Sequence, residues 1–144
     1  MKTVTRRAGL LMIAGAAAAS TLSAPTGAVD VSADPAFAAI AKHRQASADH
    51  LASIYAYDWA ERGTDAYYDA QDHNEVCCHA ARDAAWELAA TIPTTLAGVA
   101  AVLQYANEVE DEGDEWPDTD TIGADGWHYQ LRQAMAAAAA NLAA

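Results

Sequence analysis

From residue 34 to residue 90 small and apolar side chains recur every three to four positions, and Gly63 is the one break in that rhythm. This is the period an α-helix needs to keep one face toward a neighbour. It dictates two long helices joined by a short turn, an antiparallel helical hairpin. Asp34-Pro35 opens the first helix, with a carboxylate to cap free N–H groups and then a residue whose missing N–H is harmless in the first turn. This helix is expected to run to about Arg62 and stop at Gly63. Its expected inward stripe is Phe37, Ile40/Ala41, Arg44, Ala48, Leu51, Tyr55 and Asp58/Trp59. Thr64 or Asp65 caps the second helix, which should reach about Ala90 with an inward stripe of Tyr67, Ala70, Asn74, Cys77, Ala81, Ala84 and Leu88.

Ile92-Pro93 breaks the pattern, and Thr94 is placed to cap a third helix ending near Glu110. Its apolar side reads Leu96, Val99, Val102/Leu103 and Ala106, and Gly98 leaves room for another helix to approach. Residues 111–126 lose all periodicity in a Gly-, Asp- and Pro-containing loop. A fourth helix should start near Trp127 and run through Leu131, Met135 and an alanine tract to Leu142. No segment has the two-residue period of a strand. The fold class expected is therefore all-α: the hairpin plus two further helices in a four-helix, bundle-like domain over residues 34–144.

The N-terminus has a different layout. Lys2, Arg6 and Arg7 precede a modest apolar run, and Ser23-Ala24-Pro25-Thr26-Gly27-Ala28 follows it. A positive start, an apolar centre and small residues with a breaker are the parts of a removable targeting peptide. The Arg6-Arg7 pair assigns it to the twin-arginine (Tat) route, with the Tat translocase as partner during export. Gly9 and Leu11 depart from the usual pattern, which has an aromatic and a lysine there. Residues 1–28 are expected to be the signal, cut after Ala28, and residues 29–33 a short linker. The run is too short to span a bilayer, which takes about 20 apolar residues.

Cleavage there would remove three of the eight basic residues and none of the 20 acids. Five bases would then face 20 acids, a net charge of −15. Such a chain repels nucleic acid and anionic lipid and suits cations or basic partners. The remaining length is enough for one domain with one core.

Four segments carry a resemblance. Asp34-Pro-Ala-Phe-Ala-Ala-Ile-Ala-Lys-His-Arg44, Pro93-Thr-Thr-Leu-Ala-Gly-Val99, Gly113-Asp-Glu-Trp-Pro117 and Gly126-Trp-His-Tyr-Gln-Leu131 resemble stretches of a family of small uncharacterised bacterial α-helical proteins, some with arginine-pair leaders. The resemblance spans most of the mature chain. It implies the helical architecture and brings no activity, cofactor or site residue with it.

Candidate chemistry concentrates on the second helix, in Asp69, Asp72, His73, Glu75, Cys77, Cys78 and His79. His73 and Cys77 stand one turn apart on one side, and Asp69 lies one turn earlier. A thiolate, an imidazole and a carboxylate suit Zn²⁺ or Cu. Cys78 and His79 point elsewhere, because neighbouring helical residues diverge by about 100°. A complete site needs a ligand from another helix, with His43 or His50 the imidazoles in reach. The competing reading makes Cys77 a small core residue and leaves the His and Asp side chains in water. A disulfide between adjacent cysteines would strain the peptide and interrupt the helix, so two free thiols are expected.

His43 and His50 read as boundary residues with solvent on one edge. Residues 108–120 hold eight acids in thirteen positions without the EF-hand order, which describes a solvated acidic loop. Trp116 and Trp127 bracket that loop and should clamp it to the bundle, while Tyr67 and Tyr68 should sit half in and half out. No nucleophile elbow or phosphate loop is present. The function expected is that of an exported periplasmic or secreted protein, non-enzymatic, structural or interacting, with a protein partner. It would have no nucleic-acid partner and no stable membrane insertion after cleavage. The alternative is a periplasmic metal-binding protein using His73 and Cys77.

Overall fold

The computed structural model describes residues 33–144. The expected signal peptide and cleavage point, the Arg6-Arg7 pair and most of the expected linker lie outside the described residues. Four helices follow in order: α1 Pro35–Trp59, α2 Asp65–Ala90, α3 Leu96–Asp111 and α4 Trp127–Ala143. The described residues are all-helical, with no strand among them.

α1 and α2 form the expected antiparallel hairpin. Lys42 pairs with Glu87, Asn74 Nδ2 donates to Ser53 Oγ at 3.1 Å, and the Tyr57 and Tyr67 hydroxyls meet at 2.6 Å. As the α1 number rises, the α2 number falls. The turn differs from the expectation in one respect: α1 ends at Trp59, three residues before Arg62. Ala60 takes extended backbone and gives its N–H to Tyr57 O, so residues 60–64 form the connection. Closing the hairpin takes more chain than a single glycine. Thr64 caps α2, its hydroxyl accepting from Tyr67 N.

α3 runs parallel to α1. Asp34 meets Thr95, His43 meets Tyr105, and Arg44 meets Glu108, at offsets of 61, 62 and 64 residues. Both helices therefore start at the same end of the molecule, and one residue organises that end. Asp34 Oδ1 accepts from Ala36 N in its own helix at 2.9 Å. Its Oδ2 accepts from Thr94 N at 3.0 Å, Thr95 N at 2.8 Å and the Thr95 hydroxyl at 2.6 Å. Thr95 Oγ1 in turn accepts from Gly98 N at 2.9 Å and caps α3, so the cap is Thr95 and not Thr94. Gly98 does leave room for a neighbour, but the neighbour is this carboxylate. A Cβ at position 98 would lie 2.2 Å from Asp34 Oδ2.

The C-terminus of α3 is a Schellman turn. Gly113 adopts φ 90°, Gly113 N donates to Glu110 O, and Asp114 N donates to Val109 O. The loop then returns across the bundle, held by Trp116 and Trp127. Their rings stack with centroids 4.0 Å apart and planes 5° apart. Trp127 Nε1 also donates to Ala85 O in α2 at 2.7 Å. The expected tryptophan clamp is present.

The core gathers Ala36 and Ala39 of α1, Ala85, Leu88 and Ala89 of α2, Val102, Tyr105, Ala106 and Val109 of α3, the two tryptophans, and Leu131 of α4. All of it lies toward the shared end. Deep in the far half of the hairpin, only Ser53 and Cys77 are buried. The described residues form a four-helix base from which the far halves of α1 and α2 project as a two-helix arm.

Candidate functional site

The arm holds most of the residues that the sequence singled out. The expected α2 stripe is correctly placed: Cys77, Ala84 and Leu88 are buried, and Tyr67, Ala70, Asn74 and Ala81 half-buried. The expected α1 stripe is not. The residues that pack inward are Ala36, Ala39, His43 and Ser53. Leu51, Tyr55 and Trp59 instead face solvent at 53%, 58% and 87% exposure. Tyr55 lies about 200° around the helix from both Ser53 and Tyr57, which bond to α2. The stripe therefore points away from α2.

The reason is register. With offsets of 61 to 64 residues, Asp111 stands at the level of about Ser47 to His50. Beyond that level α3 has ended, and among the described residues no other element covers the outer face of α1. Nearer the base the same row is half covered. Phe37, Ile40 and Arg44 form one wall of an open groove of about 240 Å³, with Ala101, Gln104, Tyr105 and Glu108 of α3 as the other. Groove and stripe are successive parts of one face.

A second groove, of about 330 Å³, lies on a flank of the arm between α1 and α2. Asp49, Ala52, Ser53 and Ala56 line it from α1, and His73 and Cys77 from α2. Cys77 Sγ lies 3.6 Å from His73 Nε2, so the expected thiol–imidazole pair is brought together. The first-helix residue beside it is Asp49 and neither His43 nor His50. Asp69 is exposed, and no three His, Cys, Asp or Glu side chains among the described residues gather closely enough to hold an ion. Both cysteines are free, Cys77 buried and Cys78 exposed. His79 is exposed beside Glu75, at 3.8 Å.

His43 is no boundary residue. It is buried at the level where α1, α3 and the returning loop meet. Its Nδ1 lies 2.7 Å from the Tyr105 hydroxyl, and its ring centroid 4.9 Å from that of Trp116. Burial pushes the imidazole below its ordinary value, and Asp114 pulls the other way without prevailing. His43 Nδ1 and the Tyr105 hydroxyl share this hydrogen bond, and Nε2 faces Ser47 Oγ, 3.4 Å away. Burial likewise raises the Tyr105 hydroxyl, although the Arg44 guanidinium over its ring opposes this. The His43–Tyr105 hydrogen bond joins α1 to α3 in the buried layer beside Trp116.

The acidic segment leads out of α3. Glu108 pairs with Arg44, and Arg82 pairs with Asp118 across the loop. Asp111, Glu112, Asp114 and Glu115 are exposed and form no ion pair among the described residues. No protein-family model matches the chain, and no curated protein or solved structure shows significant similarity to it.

Proposed function

We propose that the chain is exported by the twin-arginine route to the periplasm or beyond and acts there as a non-enzymatic interaction protein, its base holding the two-helix arm out toward a protein partner. The observation that carries this is the row Leu51, Tyr55 and Trp59, three large apolar side chains one turn apart on a helix face that no other described element covers. Large apolar side chains scattered singly on a surface need no explanation, but an aligned row marks a contact surface. Aromatic residues are also enriched at the centres of interfaces. Export rests on Arg6, Arg7 and the apolar run after them. No helix among the described residues is long and apolar enough to cross a membrane. Membership of the small helical family suggested by the four sequence segments belongs to this same proposal.

Two experiments test it. Replacing Arg6 and Arg7 with Lys should hold the precursor in the cytoplasm, and normal export of that variant would contradict the Tat assignment. A photo-crosslinking residue at Tyr55, in producing cells, should yield one defined adduct that is absent when the same residue replaces Gln133 on α4. Equal adducts at both positions would remove the interaction reading.

A second reading has one observation in its favour. Asp49 shares the flank groove with His73 and Cys77, so a carboxylate from α1 approaches the thiol–imidazole pair. On this reading the arm binds Zn²⁺ or Cu. Zinc should then protect Cys77 from a thiol reagent until a chelator removes it, and His73→Ala should abolish the protection.

A further inference from the structure

We propose that the outer face of α1, from the Phe37 groove to Trp59, docks a cationic amphipathic segment of a partner protein. This rests on the reading above that the arm is an interaction surface, and it names the chemistry of what is bound. The apolar side of the partner would lie along Leu51, Tyr55 and Trp59. Its basic side would lie over the acidic C-terminus of α3.

Charge selects this occupant. Residues 49–79, the far part of the hairpin, hold seven acids against Arg62. The proximal end of the stripe meets the end of α3, where Glu108, Glu110, Asp111, Glu112, Asp114 and Glu115 follow one another. A second copy of the chain would bring the same charge against itself, and anionic lipid and nucleic acid are repelled for the same reason. A cationic partner is attracted from a distance and held in register at close range.

The backbone adds an independent argument. A helix C-terminus carries the negative end of the dipole, and cations stabilise it. The last turn of α3 has no basic residue and contains Glu108, Glu110 and Asp111. Glu108 pairs with Arg44 and Glu110 lies 3.7 Å from His128, but Asp111, Glu112, Asp114 and Glu115 have no such partner among the described residues. Negative charge therefore still concentrates where the backbone is already negative, at a cost in stability. Local rules are broken in this way where a binding function compensates. Lysine or arginine from a partner would relieve that repulsion. The same cations can also lie over the exposed rings of Tyr55 and Trp59.

The test uses the full chain and two helical peptides. One carries lysines along one face and leucines along the other, and its twin has glutamates in place of the lysines. Calorimetry gives Kd, and tryptophan emission reports the face, because Trp116 and Trp127 are buried and Trp86 is packed half-buried against the core while Trp59 is open; a Trp59→Phe variant should lose the shift. The lysine peptide should bind, shift the emission to the blue, and weaken roughly tenfold between low salt and about 0.5 M salt. Leu51→Ser with Tyr55→Ser should weaken it at least about tenfold. Neutralising Asp111, Glu112, Asp114 and Glu115 to their amides should weaken it by a similar factor and flatten the salt dependence. These positions are exposed, so helix content by circular dichroism should stay unchanged and separate lost binding from lost folding. Equal binding of the two peptides, or binding indifferent to salt, would overturn the charge selection while leaving an apolar contact face. Self-association through Trp59 with no peptide bound would overturn the partner in favour of a second copy. No binding and no self-association would overturn this proposal and the interaction reading together.

Discussion

Asp34 and Thr95 share a hydroxyl–carboxylate hydrogen bond of 2.6 Å that ties the start of α1 to the start of α3. The same carboxylate accepts three backbone N–H groups, and the same hydroxyl caps α3. Asp34→Ala would remove the α1 cap and leave buried donors without an acceptor. The expected loss is roughly 2–4 kcal/mol of unfolding free energy in urea titration.

Gly98 supplies a coupled prediction. Gly98→Ala alone should destabilise, because its Cβ would fall 2.2 Å from Asp34 Oδ2. In an Asp34→Ala background the obstruction is gone, and alanine exceeds glycine in helix propensity by about 1 kcal/mol. The substitution should then be neutral or stabilising. A double-mutant cycle measures this, and additive losses would contradict the packing described here.

Much of this fold was legible in the sequence, and the parts that were not share a cause. Asp34 as the α1 cap, Thr64, Gly63 and Pro93 act within a few residues of themselves, so the helices and their order could be read locally, whereas the bonds from Asp34 to Thr94 and Thr95, some sixty residues on, could not. The α2 stripe was legible because that helix has one apolar face. α1 has two: a narrow one of Ala36 and Ala39 that admits a close neighbour, and a broad one of Phe37, Ile40, Leu51, Tyr55 and Trp59. Periodicity weights the large residues and selects the broad face. Whether that face is covered depends on where α3 ends, a matter of register between segments some sixty residues apart. His43 was misread for the same reason, since its partner Tyr105 is 62 residues away.

His43 gives the protein a pH dependence whose sign is fixed. Its folded pKa lies below the ordinary value of 6.5 because the ring is buried. The unfolded chain therefore takes up the proton first as pH falls, and stability is lost from about pH 6.5 downward until the folded ring also protonates. Asp34 behaves alike at lower pH. Burial raises its carboxyl, but hydrogen bonds from the Thr95 hydroxyl and from the Ala36, Thr94 and Thr95 N–H groups outweigh burial and hold it below the ordinary 3.8. Its contribution is present above about pH 4 and disappears in stronger acid. Melting temperature should decline from pH 7 to pH 5, and His43→Gln should flatten that part of the curve. An unchanged slope would contradict the buried neutral imidazole.

The cysteines should separate by reactivity. Cys78 is exposed and Cys77 is 8% exposed, so a thiol reagent should label Cys78 rapidly and Cys77 mainly after unfolding. Protection of Cys77 that vanishes on adding a chelator would favour the metal reading. Equal rapid labelling of both in the folded protein would contradict the placement of α2.

The central claim is that the outer face of the α1 arm is the working surface. Hydrogen–deuterium exchange of the full chain, free and saturated with the lysine–leucine peptide, tests it most directly. The account predicts new protection along residues 48–59 and 108–115, with residues 84–89 and 127–138 of the base unchanged. Protection confined to the base, or to the flank beside Asp49, His73 and Cys77 with the stripe unaffected, would contradict it.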